Sequence, residues 1–292
     1  MATFRRIFLG LLTLALIGVV AFGSIGAWEG AATFVDPRNP ETPGEQPEEV
    51  ADHYLFECGD VEIDVFRVDA IGEKNEGAVD TALILHGKAD QKTSMAGLAR
   101  RFARAGVQAL LVDLRGHGAS SRTELTYGAH EREDLSCVLD SLEAEGVEVG
   151  ELGVFGSSYG GAVALQFAGT DPRVARLVAV AGFRSFDAIA SSMIELPAIA
   201  QWAVITAAGL RADFDPDDAS PEATIGGTQA DVILVYSRDD EIVPYAHGLA
   251  VAEACGEHCR LVTLDGYDHL GTLSNPELRD LLHRHLAAAP YP

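Results

Sequence analysis

Gly156-Ser157-Ser158-Tyr159-Gly160 joins an apolar run, Leu152-Gly153-Val154-Phe155, to a helix-forming one, Gly161-Ala162-Val163-Ala164-Leu165-Gln166-Phe167-Ala168. The first run reads as a strand and the second as a helix. A G-x-S-x-G sequence between them is a sharp turn that strains its central residue and pushes that hydroxyl out above the sheet. Glycine is required at 156 and 160 because a Cβ at either would clash in so tight a turn. Ser158 is therefore the candidate nucleophile. Tyr159 follows it with a backbone N–H at a helix N-terminus.

A serine hydroxyl is a poor nucleophile at neutral pH and needs a base, which in turn needs an orienting carboxylate. Downstream, Asp231-Val232-Ile233-Leu234-Val235-Tyr236 reads as a buried strand. It runs into Ser237-Arg238-Asp239-Asp240-Glu241-Ile242-Val243-Pro244, which puts acids on the loop at its carboxyl end. A further strand, Arg260–Leu264, leads into Asp265-Gly266-Tyr267-Asp268-His269. Serine, acid and histidine thus follow in chain order on loops at the carboxyl ends of strands, the edge where open α/β sheets build their sites. An oxyanion needs two donors. Tyr159 N–H is one; Lys88 N–H, in the His86-Gly87-Lys88-Ala89 loop after the strand Thr81–Leu85, is the other.

The chain resembles the α/β-hydrolase superfamily of serine hydrolases. Five blocks carry the resemblance: His86-Gly87; Leu111-Val112-Asp113-Leu114-Arg115-Gly116-His117-Gly118-Ala119-Ser120; the Ser158 turn; Asp239 through Pro244; and Gly266 through His269. It extends from about residue 53 to the end. It implies Asp240 rather than Asp239 as the acid, four residues before Pro244. The short insert points to the reduced-lid subgroup of membrane-associated acyl hydrolases and prolyl-oligopeptidase-like domains. Lys88 departs from the asparagine frequent there; the backbone donor survives, but the pocket gains a charge.

Strands and helices alternate beyond residue 53, which predicts a mostly parallel, doubly wound sheet. His53–Glu57 and Val61–Val68 read as its antiparallel entry. The alternation breaks between about 183 and 228, predicting a small helical lid. Phe186, Met193, Ile194, Trp202 and Ile205 are its apolar residues. Phe186 and Trp202 are the tentative pocket residues, against the plainer reading that such residues pack the lid onto the body. His86 and His117 read as structural, His283 and His285 as helix surface. Asp113 reads as the organiser of the Arg115–Gly118 turn, and the Lys88 side chain as solvated or as a contact for an anionic substrate.

The net charge of −23, with three lysines among 21 basic residues, argues against a nucleic-acid partner. Arg5-Arg6 precedes Ile7–Ala27, an uncharged run of 21 residues, long enough to span a bilayer. The reading is an uncleaved anchor over residues 7–27 with the catalytic domain outside, the alternative a cleaved signal and a secreted enzyme. Residues 1–27 form this leader, 28–52 a solvated acidic tether, and 53–292 the hydrolase domain. Export permits disulfides, and a Cys255–Cys259 bridge is sterically conceivable; Cys137 reads as a core residue. No metal or organic cofactor is called for. The expected activity is hydrolysis of a small ester or thioester through Ser158, Asp240 and His269. A peptidase or acyltransferase on the same fold, and a non-catalytic membrane-tethered binding protein, are the alternatives.

Overall fold

The computed structural model describes residues 23–37 and 44–290. Its strands are β1 (Asp52–Cys58), β2 (Val61–Val68), β3 (Thr81–Leu85), β4 (Gln108–Val112), β5 (Leu152–Ser157), β6 (Val174–Val180), β7 (Asp231–Ser237) and β8 (Cys259–Leu264). They form one sheet in the order β1-β2-β4-β3-β5-β6-β7-β8. β2 pairs antiparallel with both β1 and β4, and every later pair is parallel. This is the mostly parallel sheet expected from the alternating pattern, in the α/β-hydrolase architecture that the resemblance implies.

Side chains alternate across each strand, so the central strands divide between two cores. Leu83, Leu85, Leu110 and Val154 face one core, with helices α3 (Glu131–Ala144), α4 (Tyr159–Thr170) and α8 (Tyr245–Cys255). Ala82, Ile84, Leu111 and Phe155 face the other, with α2 (Ala96–Arg104) and α10 (Pro276–Ala287). Burial on both faces is why these strands read as unbroken apolar runs. The chain moves outward from β3 to β4, then returns past β3 to β5. The loops after β3 and β5 therefore rise side by side at the carboxyl edge, where such a reversal opens a crevice.

Between β6 and β7 lie α5 (Phe186–Met193), α6 (Ala198–Ala212) and the short α7 (Pro221–Thr224). The remaining helix near the carboxyl terminus, α9 (His269–Ser274), begins at the candidate base.

Residues 23–35 form a further helix, α1. Ala27, Ala31, Phe34 and Val35 are buried in the larger core, a spacing that places them on one helical face. Residues 28–35 thus depart from the solvated tether expected there. Residues 44–51 are also tied to the body: Gly44 N–H donates to Gln91 Oε1 at 2.7 Å and Glu49 pairs with Arg100 at 2.5 Å. Most of the apolar run 7–27 lies outside the described residues. Among the described residues no helix is long and apolar enough to cross a membrane.

Two disulfides are present, Cys58–Cys137 and Cys255–Cys259, with sequence separations of 79 and 4. Cys137 is therefore a bridge partner rather than a plain core residue, tying α3 to the end of β1. Loop-closure entropy gives the longer loop about 4.5 kcal/mol and the shorter about 2 kcal/mol in the chain-entropy picture, so the first bond weighs more on global stability. His283 also departs from expectation. It is buried and stacked on Phe102 with ring centroids 5.4 Å apart, because α10 turns that face toward α2.

Candidate active site

Ser158 caps the junction of β5 and α4 with φ 51° and ψ −116°. That is a left-handed backbone on a residue with a Cβ, a strained geometry. Its N–H donates to Val180 O at 2.8 Å, and its carbonyl accepts from Ala162 N–H at 3.1 Å. The neighbouring strand and the helix together hold the turn. A Cβ on Gly156 would run into the Gly160 carbonyl, and one on Gly160 into the His86 carbonyl. Both glycines are thus set by close backbone approach, the second by the loop after β3.

His269 Nε2 lies 2.9 Å from Ser158 Oγ, and His269 Nδ1 lies 2.7 Å from Asp240 Oδ2. Asp240 is buried. Burial pushes its carboxyl pKa up, but the His269 hydrogen bond and the Val243 and Ile242 N–H groups outweigh that and leave it lowered. Those two N–H groups donate to Oδ1 at 2.8 and 2.9 Å. An ionised Asp240 only accepts hydrogen bonds, so the proton of a neutral His269 sits on Nδ1 and leaves Nε2 to accept from Ser158.

Asp239 is exposed and does not reach the imidazole. Its Oδ2 accepts Gly266 N–H at 2.6 Å, and Ser237 Oγ donates to Tyr267 O at 2.6 Å. These two bonds latch the histidine loop to the acid loop. Asp268 Oδ1 then accepts Gly271 N–H at 2.6 Å and caps α9. Adjacent aspartates have separate tasks because the loop after β7 buries Asp240 and leaves Asp239 exposed.

The two histidines of the upstream blocks are buried and outside this chain of bonds. His86 Nδ1 bonds Gly87 O at 2.8 Å, and its Nε2 accepts Leu114 N–H at 3.2 Å. Burial lowers its pKa. His117 Nδ1 bonds Arg115 O at 3.0 Å, and burial brings its pKa down to about 3. Asp113 accepts Lys92 N–H, Lys92 Nζ and Ala119 N–H, so it organises its turn as expected.

A cavity of about 510 Å³ opens beside Ser158. Lys88, Ala89 and Tyr159 line its polar end. Tyr127, Phe183, Ile189, Met193, Ile242 and Val243 line the rest, together with Thr33 and Phe34 of α1. Tyr159 and Lys88 thus lie at the cavity beside Ser158. Phe186 and Trp202 do not line it. Phe186 is fully buried, with its ring against Phe34, Tyr127 and Phe214, while Trp202 is 62% exposed. The lid packs onto the body through Phe186 and reaches the cavity through Ile189 and Met193. The Lys88 side chain is half-buried, and its Nζ donates to Phe34 O at 2.6 Å and Thr33 O at 3.3 Å.

Tyr127 was not singled out from sequence. It has φ 56°, its N–H donates to Tyr159 Oη at 3.1 Å, and its own hydroxyl donates to Phe34 O at 2.8 Å. Tyr159 Oη donates in turn to the buried Glu131 at 2.5 Å. The local signal was Gly128 beside an aromatic residue in a loop; nothing nearby marked the partner at Phe34. Among the described residues, no group of three or more potential ligands gathers to hold a metal.

The chain matches a family model described as serine aminopeptidase, S33, over residues 77–222, half of its length. It is 27% identical over 172 residues to uncharacterized protein YqkD of Bacillus subtilis. That alignment spans 56% of this chain and 56% of the relative, so the chain covers about half of the curated relative it matches. Among solved structures, 2,6-dihydroxy-pseudo-oxynicotine hydrolase superposes with a TM-score of 0.64 at 19% identity, covering 84% of this chain and 71% of that one. The Pyrococcus furiosus esterase Pf2001 gives 0.63 at 19% identity, covering 80% and 90%. An acylaminoacyl peptidase from Pyrococcus horikoshii gives 0.59 at 16% identity, covering 80% of this chain and 40% of its own. At these identities the likeness is one of fold.

Proposed function

The chain belongs to the α/β-hydrolase family of serine hydrolases, and on that premise we propose that it cleaves small carboxylic esters or thioesters. The observation that carries the proposal is the hydrogen-bonded chain Asp240–His269–Ser158 opening onto a mainly apolar cavity. Ser158 Oγ bonds to the acyl carbon while its proton passes to His269 Nε2. The carbonyl oxygen takes the negative charge, facing the Tyr159 and Lys88 N–H groups. Asp240 fixes the imidazole tautomer and stabilises its charged form. Collapse of the intermediate breaks the bond to the alcohol or thiol, which leaves with the proton from Nε2. Water, deprotonated by the same nitrogen, then releases the acid from Ser158.

Peptide cleavage is the second reading, favoured by the description of the matching family model. An aminopeptidase must hold a free ammonium group. None of the described cavity-lining residues is acidic, which supports the ester reading. We further propose an extracytoplasmic, membrane-anchored enzyme. Two disulfides support an oxidising compartment, and the uncharged run after Arg5-Arg6 supports the anchor. A panel of p-nitrophenyl esters, acyl thioesters and aminoacyl p-nitroanilides tests the chemistry. Ester or thioester turnover at least 100-fold above anilide turnover is expected; the reverse order would establish the peptidase reading.

A further inference from the structure

The last turn of a helix leaves carbonyl groups without partners in the helix itself. In α1 three of them are taken up by the body, two of these by residues that line the cavity. Phe34 O accepts from Lys88 Nζ and from Tyr127 Oη, Thr33 O accepts from Lys88 Nζ, and Val35 O accepts Leu125 N–H at 2.8 Å. Lys88 brings a full positive charge to the helix end where the peptide dipoles concentrate negative charge, a favourable placement. Its ammonium also lies 5.9 Å from the Tyr127 ring centroid.

Lys88 belongs to the loop that runs beside the nucleophile. A Cβ on Gly87 would stand 3.8 Å from Ser158 Cβ, and Ala89 holds a left-handed φ of 59°. His86 fixes the loop where it leaves β3, through its bonds to Gly87 O and Leu114 N–H. The Lys88 side chain joins the middle of the same loop to α1. A loop with a strained residue and the N–H proposed to bind the oxyanion needs such a constraint, since an oxyanion donor acts only when held in place before the charge develops.

We propose that Lys88 is a positioning residue. Its ammonium clamps the oxyanion loop to the carbonyl end of α1, so residues 33–35 complete the active site. The segment that leads out of the apolar amino-terminal run is then part of the catalytic apparatus. Its Phe34 and Thr33 form one wall of the cavity, and its carbonyls hold the loop that polarises the substrate. The inference rests on the serine hydrolase reading above.

Lys88→Met in the full chain keeps the backbone N–H and the aliphatic stem and removes the clamp. The expected result is a fall in kcat on a p-nitrophenyl ester of about 10- to 100-fold, part of what loss of a whole oxyanion donor costs, with KM changed less than threefold. Phosphonylation of Ser158 by a fluorophosphonate, which also places charge in the hole, should slow in parallel. Lys88→Arg should restore most of both rates. A wild-type kcat in Lys88→Met would overturn the clamp, as would an arginine variant no better than methionine. If Lys88→Met does not fold, Tyr127→Phe loosens the same carbonyl end from the other side. It should lower kcat a fewfold, and an unchanged kcat would reject the proposal. Failure of the wild-type enzyme to react with the probe would instead break the hydrolase reading, which separates the two.

Discussion

The two ends of the cavity are built in opposite ways. The polar end stands on strand termini: Ser158 after β5 and Lys88 after β3 line it, and His269 after β8 and Asp240 after β7 back Ser158 through their hydrogen bonds. Each of these positions begins with a turn of a few residues whose shape is local, and the Lys88 loop alone among them is also tied by its side chain to α1. The apolar end is assembled from segments far apart in sequence, Phe34 of α1, Tyr127 before α3, and Ile189 and Met193 of α5. No local turn determines that these meet; packing does. The residues of the polar end are therefore marked mainly by short motifs, and those of the apolar end by long-range contacts.

The comparison is broken most directly at the polar end. Asp240→Asn should lower turnover by about 10⁴-fold, because the amide favours the wrong imidazole tautomer, with acyl-length preference unchanged. Asp239→Asn loosens only the latch at Gly266 and should cost less than about tenfold, in line with an ordinary surface hydrogen bond. Steady-state kinetics of the two variants across one ester series checks both. Equal losses would mean that the loop, not the Asp240–His269 bond, is what matters.

At the apolar end the expected effect is smaller and of a different kind. Ile189→Ala should shift preference toward longer or branched acyl chains by about tenfold, the usual worth of a methylene or two in a pocket. Turnover of the acetyl ester should stay within threefold. A uniform loss across the series would show that α5 supports the polar end rather than shaping the cavity.

This division explains what was legible in the amino-acid sequence. The sheet, its antiparallel entry and the candidates Ser158, His269, Tyr159 and Lys88 are read from strand–turn signals, whereas the choice of Asp240 over Asp239 comes from the family resemblance. Phe186 and Trp202 were chosen as pocket residues because they are large and lie in the lid. Which face of α5 or α6 meets the body is a packing outcome. The helix at 23–35 was missed for a related reason. Ala27, Ala31, Phe34 and Val35 have helical spacing, but the uniformly apolar residues before them hide the period. The Cys58–Cys137 bond likewise joins segments 79 residues apart, with no short motif to mark it.

The smallest expected effect concerns protonation around the site. His117, lowered to about 3 by burial, stays neutral in the folded protein at pH 5, whereas an unfolded histidine takes up a proton near pH 6.5; burial lowers His86 in the same direction. The unfolded state thus binds more protons in that window. The stability held by the neutral His117 ring is complete above about pH 6.5 and falls as pH drops, by at most about 1.4 kcal/mol per pH unit. NMR titration should show that His117 does not protonate between pH 7 and 5. Protonation of His117 near pH 6 would show that its site is open to water.

Reaction with a fluorophosphonate, followed by peptide mapping of the adduct, tests the central claim that the polar end is a working hydrolase site. The wild-type protein should carry one covalent adduct on Ser158. Ser158→Ala should remain folded, carry none, and lose about 10⁶-fold in ester turnover, the usual cost of removing such a nucleophile. An adduct on another residue, or equal labelling of the alanine variant, would contradict the account.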